Sequence, residues 1–138
     1  MTRETVSANQ DEVKLIDDRI IAFNNSKIPS MQGLEPLSIN YVKEDEKIIA
    51  GINAVIYPGG VLYMDVLFVD EEYRGQDLGT HLLNKVEMQA KEIGATLVHL
   101  ATFDFQAKDF YLKMGYKVFG VLENSPKGHK CYYLKKDL

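Results

Sequence analysis

Residues 61 to 93 restrict the possible folds more than any other stretch of the chain. Val61 to Val69 is nearly all apolar and contains one charge, Asp65. The pattern then changes: Leu78, Leu82, Val86, Ala90 and Ile93 recur every three or four residues, with Leu83 beside them. Lys85, Glu87, Lys91 and Glu92 fall largely on other faces. A run of the first kind predicts a strand buried on both faces, and the second predicts an amphipathic helix that Gly94 terminates. Between them lies Arg74-Gly75-Gln76-Asp77-Leu78-Gly79-Thr80. A glycine-containing turn into a helix gathers unpaired N–H groups and partial positive charge at one point, which suits a phosphate. Many α/β turns share this form, so the turn alone predicts an anion site and nothing narrower.

The other segments read mainly as strands. Arg3 to Ala8 is expected to be a short strand. Asn9 or Gln10 then opens a helix with Val13, Ile16, Ile20 and Phe23 on one face, closed by Asn24-Asn25-Ser26. Lys27 to Pro36 has no period and is expected to be a surface loop bordering a site. Leu37 to Lys43, Lys47 to Tyr57 and Val61 to Val69 are joined by Glu44-Asp45-Glu46 and Pro58-Gly59-Gly60, which predicts an antiparallel meander. Thr96 to Phe103 is a further apolar strand. Gln106 to Met114 predicts a short helix burying Ala107, Phe110, Tyr111 and Met114, with Gly115 past its end. Tyr116 to Leu122 and Lys130 to Lys135 are the last two strands, flanking a loop from Glu123 to His129.

The 138 residues favour one domain, 1–138, with a core large enough to need no disulfide or metal. The single cysteine, Cys131, sits in a strand-like run and is expected to pack rather than react. Net charge is −4, which argues against general nucleic-acid binding. Residues 108–138 carry +4 (seven Lys against three Asp/Glu) and residues 1–107 carry −8 (nine Lys/Arg against seventeen Asp/Glu). A solvated tail explains that asymmetry, as does a basic end for an anionic ligand with an acidic region for a cationic one. No apolar run approaches the roughly 20 residues that span a bilayer. The N-terminus has no apolar signal core, so a cytoplasmic protein without a membrane partner is expected.

Val69 to Leu83 resembles the acetyl-CoA signature of the GNAT superfamily of N-acetyltransferases, Gln/Arg-x-x-Gly-x-Gly/Ala before a Leu-rich helix, with Arg74 first and Gly79 last. Ala107 to Tyr116 is similar to that family's Ala-x-x-Leu-Tyr-x-x-x-Gly-Phe segment. The resemblance extends over roughly residues 38 to 136, and the spacing and strand order between the two segments also fit. It implies a single-domain α+β fold, a central mixed but mostly antiparallel sheet flanked by helices. It further implies acetyl-CoA as co-substrate, no metal, and transfer of an acetyl group to a primary amine by direct attack in a ternary complex. One position departs: Asp77 stands where the signature has its middle glycine, which puts a strained backbone and a carboxylate near a pyrophosphate.

On that resemblance, Leu67, Phe68 and Val69 would pair with the pantetheine arm like an added strand. Backbone N–H groups of Arg74, Gly75, Gln76, Asp77, Leu78, Gly79 and Thr80 would hold the pyrophosphate, and Tyr111 would protonate the departing thiolate. Tyr111 also lies on the apolar face of its helix, so a core tyrosine is the competing reading. Asp104 falls where many members carry a CoA-contacting Asn; capping of the following helix is equally open, and Gln106 offers the same chemistry. Asp65 is the candidate general base, since alternation groups it with Tyr63, Leu67 and Val69 and burial would raise its pKa; a salt bridge or substrate-orienting contact is the alternative. His99 is a weaker candidate, His81 is expected to be exposed and His129 in a loop, with no metal-ligand spacing among them. The acceptor is a small-molecule or protein amine, and Tyr132 and Tyr133 could pair across a homodimer. A CoA-binding sensor of the same fold is the other functional reading, for which Asp77 is the hint.

Overall fold

The computed structural model describes residues 1–28, 34–57 and 59–138. Half of the expected loop over 27–36, residues 29–33, and Pro58 of the predicted hairpin turn lie outside the described residues. The chain divides into two units, residues 1–33 and 34–138.

The first unit holds α1 (Gln10–Lys27). Its start is fixed by a capping box: the Asn9 side chain accepts from the Glu12 N–H at 2.9 Å, and the Glu12 carboxylate accepts from the Asn9 N–H at 3.0 Å. Asn24-Asn25-Ser26 does not end the helix as expected. The Ser26 hydroxyl donates to the Phe23 carbonyl at 2.6 Å, satisfying itself inside the helix, which runs on to Lys27. Residues 3–8 form no strand, because no other strand pairs with them. No residue of α1 is buried.

The second unit is a six-stranded sheet with two helices. In chain order it contains β1 (Glu35–Val42), β2 (Ile48–Tyr57), β3 (Val61–Val69), a 3-10 turn (Glu71–Tyr73), α2 (Leu78–Glu92), β4 (Leu97–Phe103), α3 (Lys108–Lys113), β5 (Lys117–Glu123) and β6 (Lys130–Asp137). The sheet order is β1-β2-β3-β4-β6-β5, with β3 and β4 the one parallel pair, so it is the mixed, mostly antiparallel α+β sheet expected. The parallel join follows from α2, which carries the chain back across the sheet before β4 begins. Gly60 and Gly94, at φ +85° and +104°, let the end of that crossover close on the β2–β3 turn. The Gly60 carbonyl accepts from Thr96 N–H at 2.8 Å, and a Cβ on Gly60 would sit 2.9 Å from the Gly94 carbonyl.

The core lies between α2 and one face of the sheet. Leu82, Leu83 and Val86 are fully buried against Ile52, Leu62, Val98 and Leu134, each worth about 2 kcal/mol of burial. Glu87, expected on an outer face of α2, is buried instead. Its carboxylate accepts from the Tyr116 hydroxyl at 3.1 Å and from Lys136 Nζ at 2.7 Å, so one acidic side chain ties α2 to the start of β5 and to β6. Burial, then the Glu87 charge, pushes the Tyr116 phenol far above its usual range, and the hydroxyl stays a donor.

Candidate active site

Residues 61–69 form β3 as predicted, but only half of that strand is covered. Leu62 and Met64 are buried, whereas Asp65, Val66 and Phe68 are exposed. Two features cause this. First, β3 pairs in parallel with β4 only from Val61↔Leu97 to Met64↔Leu100, after which the two strands part. Second, β2 matches Ala54 to Met64 and Asn53 to Val66, so Asp65 is the extra residue of a β-bulge. The bulge resets the alternation. Leu67 and Val69 then pack against the core, on the side of Leu62 and Met64, rather than sharing a face with Tyr63 and Asp65 as expected. Asp65 is exposed rather than buried as expected.

The parted strands open a cleft of about 630 Å³. One side is β3 from Asp65 to Val69, the other is Ala101, Thr102 and Phe103 of β4, and Tyr111 and Phe110 of α3 close the floor. Arg74 and Gly79 stand at the α2 end, and Asp65 at the bulge.

At the α2 end, the first intrahelical bond runs from His81 N–H to the Asp77 carbonyl at 3.0 Å. The N–H groups of Leu78, Gly79 and Thr80 therefore have no intrahelical acceptor. Gly79 faces Phe110 and Val69, where a Cβ would make ordinary contacts at 3.7–3.9 Å, and anything larger would enter the cleft. Arg74 holds the loop onto the strand: its Nε donates to the Val69 carbonyl at 3.0 Å, and its guanidinium lies 5.7 Å from the centre of the Phe68 ring. Gly75 and Asp77 both take positive φ, +77° and +62°. The backbone at 77 thus has the left-handed conformation that the middle glycine of the motif serves, and aspartate is among the few side chains that tolerate it. Asp77 is exposed and makes no side-chain cap bond to α2.

Tyr111 belongs to the core, as the competing reading expected, and also forms part of the cleft wall. It is 6% exposed, stacks edge-on to Phe110 and Tyr116 at 5.2 and 5.6 Å, and lines the cleft. Its hydroxyl has one weak partner, Met64 Sδ at 3.9 Å. Burial pushes its pKa up to about 12. Gln106 lines the cleft as well, with its amide oxygen accepting from Phe103 N–H at 2.8 Å and Thr102 Oγ1 at 3.3 Å.

Asp104 does not cap the following helix: α3 starts at Lys108 rather than Gln106 and has no side-chain cap. It lies outside the lining of the cleft and lines a second pocket with Gln106 and Phe110. Its carboxylate accepts from Lys130 N–H at 3.0 Å and meets His129 Nδ1 at 2.9 Å. The bond from the Lys130 backbone, then the contact with His129, hold it below the usual carboxylate range. His129 in turn meets the edge of Phe105, whose ring stacks on Phe103 at 5.3 Å. Phe105 is 61% exposed and lines the cleft, a role sequence reading missed; its one signal was an aromatic residue just past the end of an apolar strand. His99 lies on β4 against Tyr63, ring centres 5.0 Å apart, and His81 is exposed. Cys131 is buried in β6 and unbonded, as a packing thiol would be. Among the described residues, no three His, Cys, Asp or Glu side chains are grouped to hold a metal ion, and no helix is long and apolar enough to cross a membrane.

A cleft between parted strands, with a helix start at one end and a tyrosine in its floor, can be compared with known proteins. The model of the Acetyltransferase (GNAT) family matches residues 10–116. The chain belongs to this family. An acetyltransferase from Bacillus cereus ATCC 14579 shares the GNAT fold with a TM-score of 0.89, at 35% identity over 99% of this chain and 98% of that one. Blasticidin-S acetyltransferase of Streptomyces morookaense is 36% identical over 78 residues, 56% of this chain and 57% of that protein, so the aligned part spans little more than half of it. An aminoglycoside 6′-N-acetyltransferase in complex with coenzyme A, 19% identical and covering 95% of each chain, shares the fold with a TM-score of 0.66. As a GNAT-family chain this protein is an N-acetyltransferase.

Proposed function

We propose that the chain moves an acetyl group from acetyl-CoA to a primary amine of a small molecule or protein, by direct attack within a ternary complex. The observation that carries this reading is the parting of β3 and β4 beside the start of α2, with Tyr111 below the gap. The coenzyme A bound to the aminoglycoside 6′-N-acetyltransferase of the same fold supports the choice of donor.

The residues present fit that donor. The run Leu67 to Val69 no longer pairs with β4, so a pantetheine arm can lie along it as an added strand. The N–H groups of Leu78, Gly79 and Thr80, the loop from Gly75 to Asp77 and the Arg74 guanidinium provide the anion end for a pyrophosphate. Gln106 keeps its amide nitrogen for the same ligand, whereas Asp104 serves it only by shaping the loop behind Phe105. In the transfer, the amine nitrogen bonds to the acyl carbon, the carbon–sulfur bond breaks with its electrons on sulfur, and the amine's extra proton leaves to water. Tyr111 donates its hydroxyl proton to the sulfur and regains one from solvent. With a pKa near 12, Tyr111 is protonated throughout the working pH range and always available as donor. Asp65, exposed at the bulge and lining the cleft, contacts the acceptor and orients it.

The test is release of CoA thiol from acetyl-CoA with a mixed panel of amines, alongside thermal stabilisation by acetyl-CoA. Turnover with stabilisation is expected; stabilisation without turnover on any amine would make the chain a sensor instead. Gly79→Trp fills the cleft between Phe110 and Val69 and is expected to abolish the stabilisation.

A further inference from the structure

The cleft is shut at one end. β3 and β4 stay paired as far as Met64↔Leu100, and the next residue on each strand, Asp65 and Ala101, is the first to line the gap. Met64 and Leu100 therefore stand behind its closed end, each 2% exposed and both in the core cluster. The other end, at Arg74 and Gly79, belongs to the start of α2. The five residues from Asp65 to Val69 separate the two ends by four steps of strand, about 13 Å at a rise of roughly 3.3 Å per residue. A donor with its pyrophosphate at α2, and its arm following Val69 back towards Asp65, brings its thioester to the closed end.

One contact ties Met64 to the reacting group. The Tyr111 hydroxyl, proposed above to protonate the leaving sulfur, has Met64 Sδ as a partner at 3.9 Å. To deliver its proton, that hydroxyl must come within hydrogen-bond reach of the thioester sulfur. The sulfur, with the acyl carbon bonded to it, thus shares Tyr111 Oη as a neighbour with the Met64 side chain. The arm fills the cleft behind the thioester, and the amine needs the open side of the carbonyl carbon. The acyl chain is left facing the closed end, where close-packed core neighbours give Met64 no room to move aside. We infer that Met64, with Leu100 beside it, limits the length of the acyl group and stops it at acetyl. This inference rests on the acetyl-CoA reading and adds the residue that decides between acetyl and longer donors. Met64→Ala removes three side-chain atoms, Cγ, Sδ and Cε, whereas butyryl exceeds acetyl by two carbons, so one substitution makes enough room.

The test is calorimetric binding of CoA, acetyl-CoA, propionyl-CoA and butyryl-CoA in the absence of an amine, so that the readout needs no transfer. In the wild type, butyryl-CoA is expected to bind at least about tenfold more weakly than acetyl-CoA, the effect of pressing two methylenes into packed side chains, with propionyl-CoA between. In Met64→Ala, butyryl-CoA should bind at least as tightly as acetyl-CoA. In Met64→Leu, which restores the bulk, the wild-type order should return. Met64→Val is two atoms shorter in reach and suits a strand, so it carries the test if the alanine variant does not fold, with propionyl-CoA gaining first. Equal affinities for acetyl-CoA and butyryl-CoA in the wild type overturn the inference, as does a wild-type order that persists in the folded Ala or Val variant. CoA release with the amine panel separates this inference from the reading beneath it. Transfer from acetyl-CoA with no sorting by acyl length leaves the transferase and removes the role of Met64. Sorting by length in binding, with no transfer to any amine, leaves Met64 and removes the transferase. Failure of the wild type to bind any of the four removes both.

Discussion

Tyr111 and Asp77 are the two residues whose chemistry and geometry pull in different directions. The Tyr111 ring is needed by the core, between Phe110 and Tyr116, but its hydroxyl contributes only a long contact to Met64 Sδ at 3.9 Å. Tyr111→Phe should therefore leave stability within about 0.5 kcal/mol of the parent. Turnover should drop by about 100-fold, the low end for general acid catalysis, because a phenol held near pKa 12 is a weaker acid than a free one. Steady-state rates with a urea melt separate the two effects, and a folded Phe variant with full activity would reduce Tyr111 to packing. Asp77 sits at φ +62°. Asp77→Gly relieves about 1 kcal/mol of left-handed strain, but it costs roughly 0.5–1 kcal/mol in chain entropy and a few tenths in helix-dipole stabilisation. Those terms nearly cancel, so the melting temperature should barely move. Acetyl-CoA affinity is the informative quantity and should be equal or up to about fivefold tighter, from removal of roughly 1 kcal/mol of like-charge repulsion. Weaker binding would show that the carboxylate helps to hold the ligand.

At the scale of elements, the loop between β5 and β6 is held to the end of β4 by the Asp104 carboxylate, through Lys130 N–H and His129. The folded pKa of Asp104 is lowered, so its contribution to stability is full above the unfolded value of about 3.9 and is lost as pH falls through the folded value. Asp104→Asn should thus lower the urea midpoint by a constant amount above about pH 5, and the gap to wild type should narrow below about pH 4. A gap independent of pH would remove the charge from the explanation. This pairing was not legible in the sequence, because Asp104 and His129 are 25 positions apart and nothing local to either residue points to the other. The same limit hid Glu87, whose partners Tyr116 and Lys136 lie 29 and 49 positions away. Local signals fared differently. The bounds of β3 and the start of α2 are written in the residues themselves, as a switch of hydrophobic period across two glycines. The bulge at Asp65 defeats that kind of reading: one unpaired residue reverses which side Leu67 and Val69 face, and alternation counts straight through it.

For the whole molecule, the division at residue 33 coincides with a division of labour. Every member of the buried core cluster, from Ala50 to Leu134, and every partly buried residue packed on it lie within residues 37–138. So does each residue to which a role in the cleft is given, from Met64 to Tyr111. No residue of α1 is buried, although its sequence has the apolar period of a packed helix, with Ile16 61% and Phe23 57% exposed. That contrast shows how far a single-chain pattern reaches: the period states that one face is apolar and leaves open what covers it. A chain beginning at Leu34 is therefore expected to unfold cooperatively, with a melting temperature within about 5 °C of the full chain, a shift worth roughly 1 kcal/mol for a domain of this size. It should also keep its stabilisation by acetyl-CoA, since the strand, loop and helix start proposed to bind it are all retained. Loss of the cooperative transition in the shortened chain would place α1 within the folding unit. A cooperative transition without response to acetyl-CoA would instead assign part of the donor site to residues 1–33.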